Sequence, residues 1–196
     1  MKAMEKIRAT LQNMQEYQLL FDRLEWIAMF IAFAVSVQSP NIRWLTGTLI
    51  LLKTLDVLLI NNIITWGTFF YVFISFYDLL TILLILKRQE SAEVIAKLNI
   101  PIVSRFAKKS AKFYKLTSNE IAIVLIYSAS ILLNIASIIE RLIRKWTEYN
   151  PMYIYNIYSP SKFAMAMMIL LVLCAVVING TRNLYQDRTN RLSCNK

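Results

Sequence analysis

The sequence predicts an all-α protein, a polytopic helical membrane domain spanning 1–196, and three observations carry that expectation. Of the 196 residues 57% are apolar and only 3 are glycine, an excess of Ile, Leu, Val, Phe and Met that a soluble core does not need. Five apolar stretches approach the roughly 20 residues with which a helix crosses about 30 Å of hydrocarbon. The 22 Lys and Arg residues gather in short segments between those stretches, the asymmetry that orients membrane helices.

The stretches are Leu24–Gln38, Ile42–Asn62, Ile63–Leu86, Asn119–Ile139 and Lys162–Gly180. Ahead of them, in 1–23, Met4, Ile7, Leu11, Met14 and Phe21 recur at helical steps, so an amphipathic N-terminal helix is expected there. Glu5, Glu16 and Asp22 interrupt any signal-peptide core, so this leader is expected to stay. In the first stretch Ala28, Ala32 and Ser36 repeat every four positions, a small-residue stripe that lets another backbone come close. Ser39-Pro40-Asn41 ends it, because proline disfavours a helical residue before it. The fourth stretch opens on Thr117-Ser118-Asn119-Glu120, a capping box. Ser159-Pro160 reads as the start of the fifth, with proline at the first helical position.

Lys and Arg number four in 1–23, eight in 87–117, four in 141–162 and four in 182–196. Four crossings, with both termini and the 87–117 loop cytoplasmic, put sixteen inside and four outside. Five crossings weaken the asymmetry to thirteen against eight. The expectation is therefore four transmembrane helices, alternatively five, with short amphipathic surface helices. The stretch 42–62 is the one expected to enter without crossing, since it holds Arg43, Lys53, Asp56, Asn61 and Asn62. Such backbone needs shielding by protein or a water-filled cavity.

Ionisable groups at membrane depth are costly and so mark contacts or function. Lys53 and Asp56, one turn apart, can partly neutralise each other. Asp78 sits about 13 Å inside its helix end at 1.5 Å per residue and has no opposite charge within a turn, so Lys53 is the expected partner. These three are expected either to clasp helices together or to mark an ion or proton path. In the fourth stretch Glu120, Tyr127, Asn134 and Arg141 repeat every seven residues, with Ser130 and Ser137 between them. This polar seam suits helix–helix contact, or else a pore lining at an oligomer axis.

The loop 87–117 carries Arg105, Lys108, Lys109, Lys112 and Lys115 opposite Ile102, Phe106 and Phe113, as in a basic amphipathic helix. It is expected to hold anionic lipid or an acidic protein partner; no module for sequence-specific nucleic acid binding is present. On the other side Trp146, Tyr149, Tyr153, Tyr155 and Tyr158 suit the headgroup level. Neither Cys174 nor Cys194 is placed for a disulfide, and Asn179-Gly180-Thr181, a glycosylation acceptor by pattern, falls on the cytoplasmic side.

The composition also removes chemistries. With no histidine and two cysteines there is no ligand set for zinc, and three isolated glycines make no phosphate-cradling loop. No cofactor is expected, and no carboxylate has a second catalytic group spaced to assist it. The expectation is a non-enzymatic, homo-oligomeric protein of the bacterial inner membrane, joined through its first and fourth helices. It would act as an anchor or sensor subunit whose basic face recruits a soluble partner. The alternative is an oligomeric ion channel lined by the polar face of 119–139.

Overall fold

The structure, a computed structural model, describes residues 23–97 and 117–194. Among these every regular element is helical. Helix α1 covers 23–35 and ends in a 3-10 turn, Ser36–Gln38. It is followed by α2 (Pro40–Ile63), α3 (Thr68–Leu86), α4 (Arg88–Ala96), α5 (Ser118–Trp146) and α6 (Tyr153–Cys194). Among the described residues three segments are long and apolar enough to cross a membrane: Thr68–Leu86, Ser118–Trp146 and Tyr153–Arg182.

The long helices run antiparallel to their neighbours in sequence, and contacts at three levels show it. At one end Tyr71 of α3 meets Arg141 of α5 and Tyr158 of α6. Near mid-length Asp78 meets Ser130 and Lys162. At the other end Arg88, opening α4, pairs with Glu120 of α5, and Gly180 of α6 lies against Val35 at the end of α1. The turns at 64–67 and 147–152 thus share one end of the bundle. The turn at 36–39 and the ends of the 87–117 segment share the other.

One buried apolar cluster draws on every long helix: Met29 from α1, Leu45 and Leu49 from α2, Ile85 from α3, Ile123 from α5, Ile169 and Leu173 from α6. The outward faces are apolar too. Phe69, Phe76, Leu125, Leu132, Leu171 and Ile178 are all exposed, far more contiguous apolar surface than water tolerates. Lipid is the solvent that suits such a surface.

Three places add to the sequence reading. Residues 42–62, expected to enter without crossing, lie in one uninterrupted helix of 24 residues, Pro40–Ile63, about 36 Å long. Its polar residues are accommodated sideways: Lys53 pairs with Glu25 of α1 at 2.8 Å and the Arg43 guanidinium lies 4.7 Å from the Phe33 ring centre.

The second is a departure: α6 begins at Tyr153 and carries Pro160 inside it. The free amides of its first turn are met from outside, since Ile154 N–H and Tyr155 N–H donate to the Glu140 carboxylate of α5 at 2.5 and 3.2 Å. A cap supplied by another helix is invisible to local capping rules. The third concerns the small-residue stripe, where Ala32 and Ser36 are buried inside the protomer. A Cβ added at Gly180 would stand 2.9 Å from a Val35 methyl, so a close approach here joins α1 to α6.

The capping box is present as read: Thr117 Oγ1 accepts from Glu120 N–H at 3.3 Å, and Glu120 Oε2 accepts from Thr117 N–H at 2.8 Å. Between α2 and α3 only Gly67 has a positive φ, +61°, a conformation other residues adopt with strain. The amphipathic leader up to residue 22 and the basic helix of 102–115 lie outside the described residues.

Candidate functional site: a charged cavity between the helices

The site is built from polar residues that each helix would find costly against lipid. On α3, Asp78 faces inward and is 5% exposed. Ser130 and Asn134 of α5 are one turn apart, so both hydroxyl and amide reach the same partner. Ser130 donates to Asp78 Oδ2 at 2.5 Å and Asn134 Nδ2 donates to the same oxygen at 3.3 Å. From α6, Lys162 Nζ donates to Ser130 Oγ at 2.5 Å and stands 3.8 Å from Asp78 Oδ2. Tyr158, one turn earlier, donates to Asn134 Oδ1 at 3.0 Å.

Asp78 Oδ2 is thus where two donor chains end, Lys162–Ser130 and Tyr158–Asn134. Each added donor spreads the carboxylate charge and fixes the helices that bear it. The predicted Asp78–Lys53 pair is corrected by this geometry. Lys162 reaches Asp78 from α6, while Lys53 extends to Glu25, a residue just inside the first apolar stretch. The reason is topological: α6 packs along α5 on the face that Asp78 occupies, and α1 along α2.

These groups border one cavity of about 290 Å³. Its charged lining is Glu25, Lys53, Asp56, Asp78 and Lys162, so Lys53, Asp56 and Asp78 are indeed brought to one place. Its aromatic lining is Phe70, Tyr77, Tyr127 and Tyr158, and apart from Ser130 the remainder is aliphatic or Met. The Tyr77 hydroxyl donates to the Leu52 carbonyl, tying α3 to α2 across the cavity wall. Of the five charged side chains the two lysines keep 22% and 26% of their surface, so the cavity is not sealed.

The seam on α5 is only partly in this site. Tyr127 and Ser130 line the cavity, and Asn134 is fully buried beside it. Ser137 is buried and bonds back to the Leu133 carbonyl of its own helix at 2.9 Å. Arg141 packs its guanidinium 4.7 Å from the Tyr71 ring centre, with Nη2 3.4 Å from the Tyr71 hydroxyl. Glu120 is at the far end, its carboxylate shared between the capping box and Arg88, with both side chains almost wholly buried. Glu120, Ser130, Asn134, Ser137 and Arg141 therefore meet polar or aromatic partners within the protomer, and Tyr127 borders the cavity.

Of the aromatic rim, Trp146, Tyr149, Tyr153 and Tyr155 are exposed at the end of the bundle, as headgroup-level residues would be. Tyr158 is not one of them, because it turns inward to Asn134 and its ring meets Tyr71 edge-on at 5.1 Å. Arg105, Lys108, Lys109, Lys112 and Lys115 lie outside the described residues. No group of metal ligands occurs among the described residues.

Sequence reasoning missed Glu25, Lys162 and Glu140. The first two carried a faint signal, an ionisable residue at the margin of an apolar stretch, but loop charges look the same. Glu140 carried none. The chain matches no family model, no characterised protein and no solved structure.

Proposed function

We propose that this chain is a non-enzymatic integral membrane protein, an anchor or sensor subunit whose basic segment 87–117 recruits a soluble partner at the cytoplasmic leaflet. The observation that carries the reading is the buried Arg88–Glu120 ion pair joined to the Thr117–Glu120 capping box. It draws together the two ends of the basic segment, so the six cations between them are offered from one fixed base. Eight Lys and Arg against Glu90 and Glu93 in 87–117 suit an acidic protein surface or anionic lipid, each near-surface cation adding about 1 kcal/mol of attraction.

The same charge favours the cytoplasmic side for this end of the bundle, in a bacterial inner membrane. The unbroken helix of α2 beside α3 supports counting it as a crossing, and so favours five crossings over four. Under four both termini are cytoplasmic; under five only the tail 181–196 is. A homo-oligomer would form through outward faces such as Phe69, Val72 and Phe76 of α3, which are exposed. The predicted faces of α1 and α5 are already occupied within the protomer. That occupation also weighs against a pore lined by Ser130, Asn134 and Ser137.

Purification of the full chain from its native host, with and without Lys108→Glu, Lys109→Glu and Lys112→Glu together, tests the reading. A soluble protein should accompany the unaltered chain and be lost from the triple variant. If none accompanies it, the recruiting role is wrong.

A further inference from the structure

Each ionisable group on the wall of the cavity between the helices has a partner within the chain. Glu25 holds Lys53 at 2.8 Å, and Asp78 receives Ser130 and Asn134 and faces Lys162. Lys53 and Asp56 each make a further interaction within the protein. A charged ligand would have to take the place of one of these partners and strand a charge at membrane depth. A neutral ligand displaces none of them.

The cavity is packed shut at one end and open elsewhere. Met29, Leu49 and Ile169 belong both to its wall and to the buried apolar cluster. The rest of that cluster, Leu45, Ile85, Ile123 and Leu173, lies beyond them toward the turn at 36–39 and fills the bundle there. Access is therefore from the other end or from the bilayer, in which a neutral apolar molecule dissolves.

Most of the surface facing the space is apolar or aromatic. Phe70, Tyr77, Tyr127 and Tyr158 border it, and another aromatic ring packs on such rings with a gain beyond its buried area. One polar handle remains, the Lys162 ammonium. Of its three N–H donors one reaches Ser130 Oγ at 2.5 Å, with Asp78 Oδ2 3.8 Å away, and the side chain keeps 26% of its surface exposed. It thus has a donor for one ligand oxygen. The volume, about 290 Å³, is nearly twice the ~150 Å³ of an apolar cavity that accepts benzene, so one or two rings fit. A mostly apolar cavity with a few convergent polar groups is the usual form of a small-molecule site.

We propose that this cavity binds one small neutral aromatic molecule bearing a hydroxyl or carbonyl oxygen. That oxygen sits on the Lys162 ammonium, and the ring lies among Phe70, Tyr77, Tyr127 and Tyr158.

The test is calorimetric titration of the purified full chain in lipid nanodiscs with benzyl alcohol and 1-indanone, empty nanodiscs measuring partition into lipid. Saturable binding of one molecule per chain is expected, with a rise in Tm as ligand is added. Toluene, which lacks the oxygen, should bind roughly tenfold more weakly through the lost hydrogen bond to a charged donor. Benzoate and benzylammonium should also bind more weakly than benzyl alcohol. Ala166→Phe fills the space while keeping every ionisable group, and should abolish binding. The smaller Ala166→Leu should weaken 1-indanone more than benzyl alcohol.

The proposal is overturned if the folded chain binds neither alcohol nor ketone beyond the empty nanodiscs, or if toluene binds as tightly as benzyl alcohol. It is also overturned if either Ala166 variant, folded, leaves both affinities unchanged, which places the ligand elsewhere. Tighter binding of benzoate or benzylammonium than of benzyl alcohol overturns it too, because the wall then yields an ion pair to a charged ligand. None of these results bears on recruitment by the basic segment, which the triple lysine variant tests separately.

Discussion

Asp78 shows how a single buried charge organises its surroundings. Its Oδ2 receives Ser130 and Asn134 and faces Lys162, so three helices converge on one oxygen. Removing one member of a buried charged pair strands the other, which costs more than the pair was worth. Lys162→Met should therefore lower stability by roughly 2–3 kcal/mol, measured as unfolding in detergent. Asp78→Asn combined with Lys162→Met should recover a substantial part of that loss, because no charge is left without a counterpart. Lys53→Met should behave similarly through Glu25, its partner on α1.

Among the helices, the ends decide more than the middles. Helix α6 begins at Tyr153 because Glu140 of α5 accepts from its first amides, a carboxylate at the positive end of a helix dipole. Glu140→Ala should leave those amides unmet and unravel the turn before Pro160. Amide exchange at 154–158 should then quicken, while exchange at 170–176, deep in the apolar cluster, stays slow. At the opposite end Gly180→Leu should drive α6 from α1, because even a Cβ there meets Val35 at 2.9 Å. Loss of stability without loss of helicity is the expected result. Thr117→Ala should cost about 1 kcal/mol through the capping box.

Taken as one body, the bundle has two unlike ends. The turns at 36–39 and around 87–117 belong to one, and those at 64–67 and 147–152 to the other. Cysteines placed at 40, 100 and 155 should therefore label in a two-to-one pattern: 40 and 100 from the cytoplasmic side, 155 from outside. If 40 and 155 label together, α2 does not cross. Position 3 reports the side of the amino terminus, cytoplasmic with four crossings and external with five. Planar bilayers holding the purified protein should remain electrically silent, since Ser130 and Asn134 of the seam are buried and hydrogen-bonded inside one chain. A conductance altered by Asn134→Leu would restore the pore reading.

Composition and periodicity were enough to establish a helical membrane protein, the positions of its apolar stretches, the capping box at Thr117 and the polar face of α5. These are local properties, set by neighbours within a few residues along the chain. Which polar groups meet was legible only in outline. That Asp78 needed a partner follows from one helix, but that Lys162 and not Lys53 supplies it depends on how α6 and α1 lie against the others. Likewise Glu140 caps a helix thirteen residues away, and Ala32 and Ser36 pack inside the protomer. Pairing between helices is decided by three-dimensional packing, where distances along the chain no longer measure distances in space.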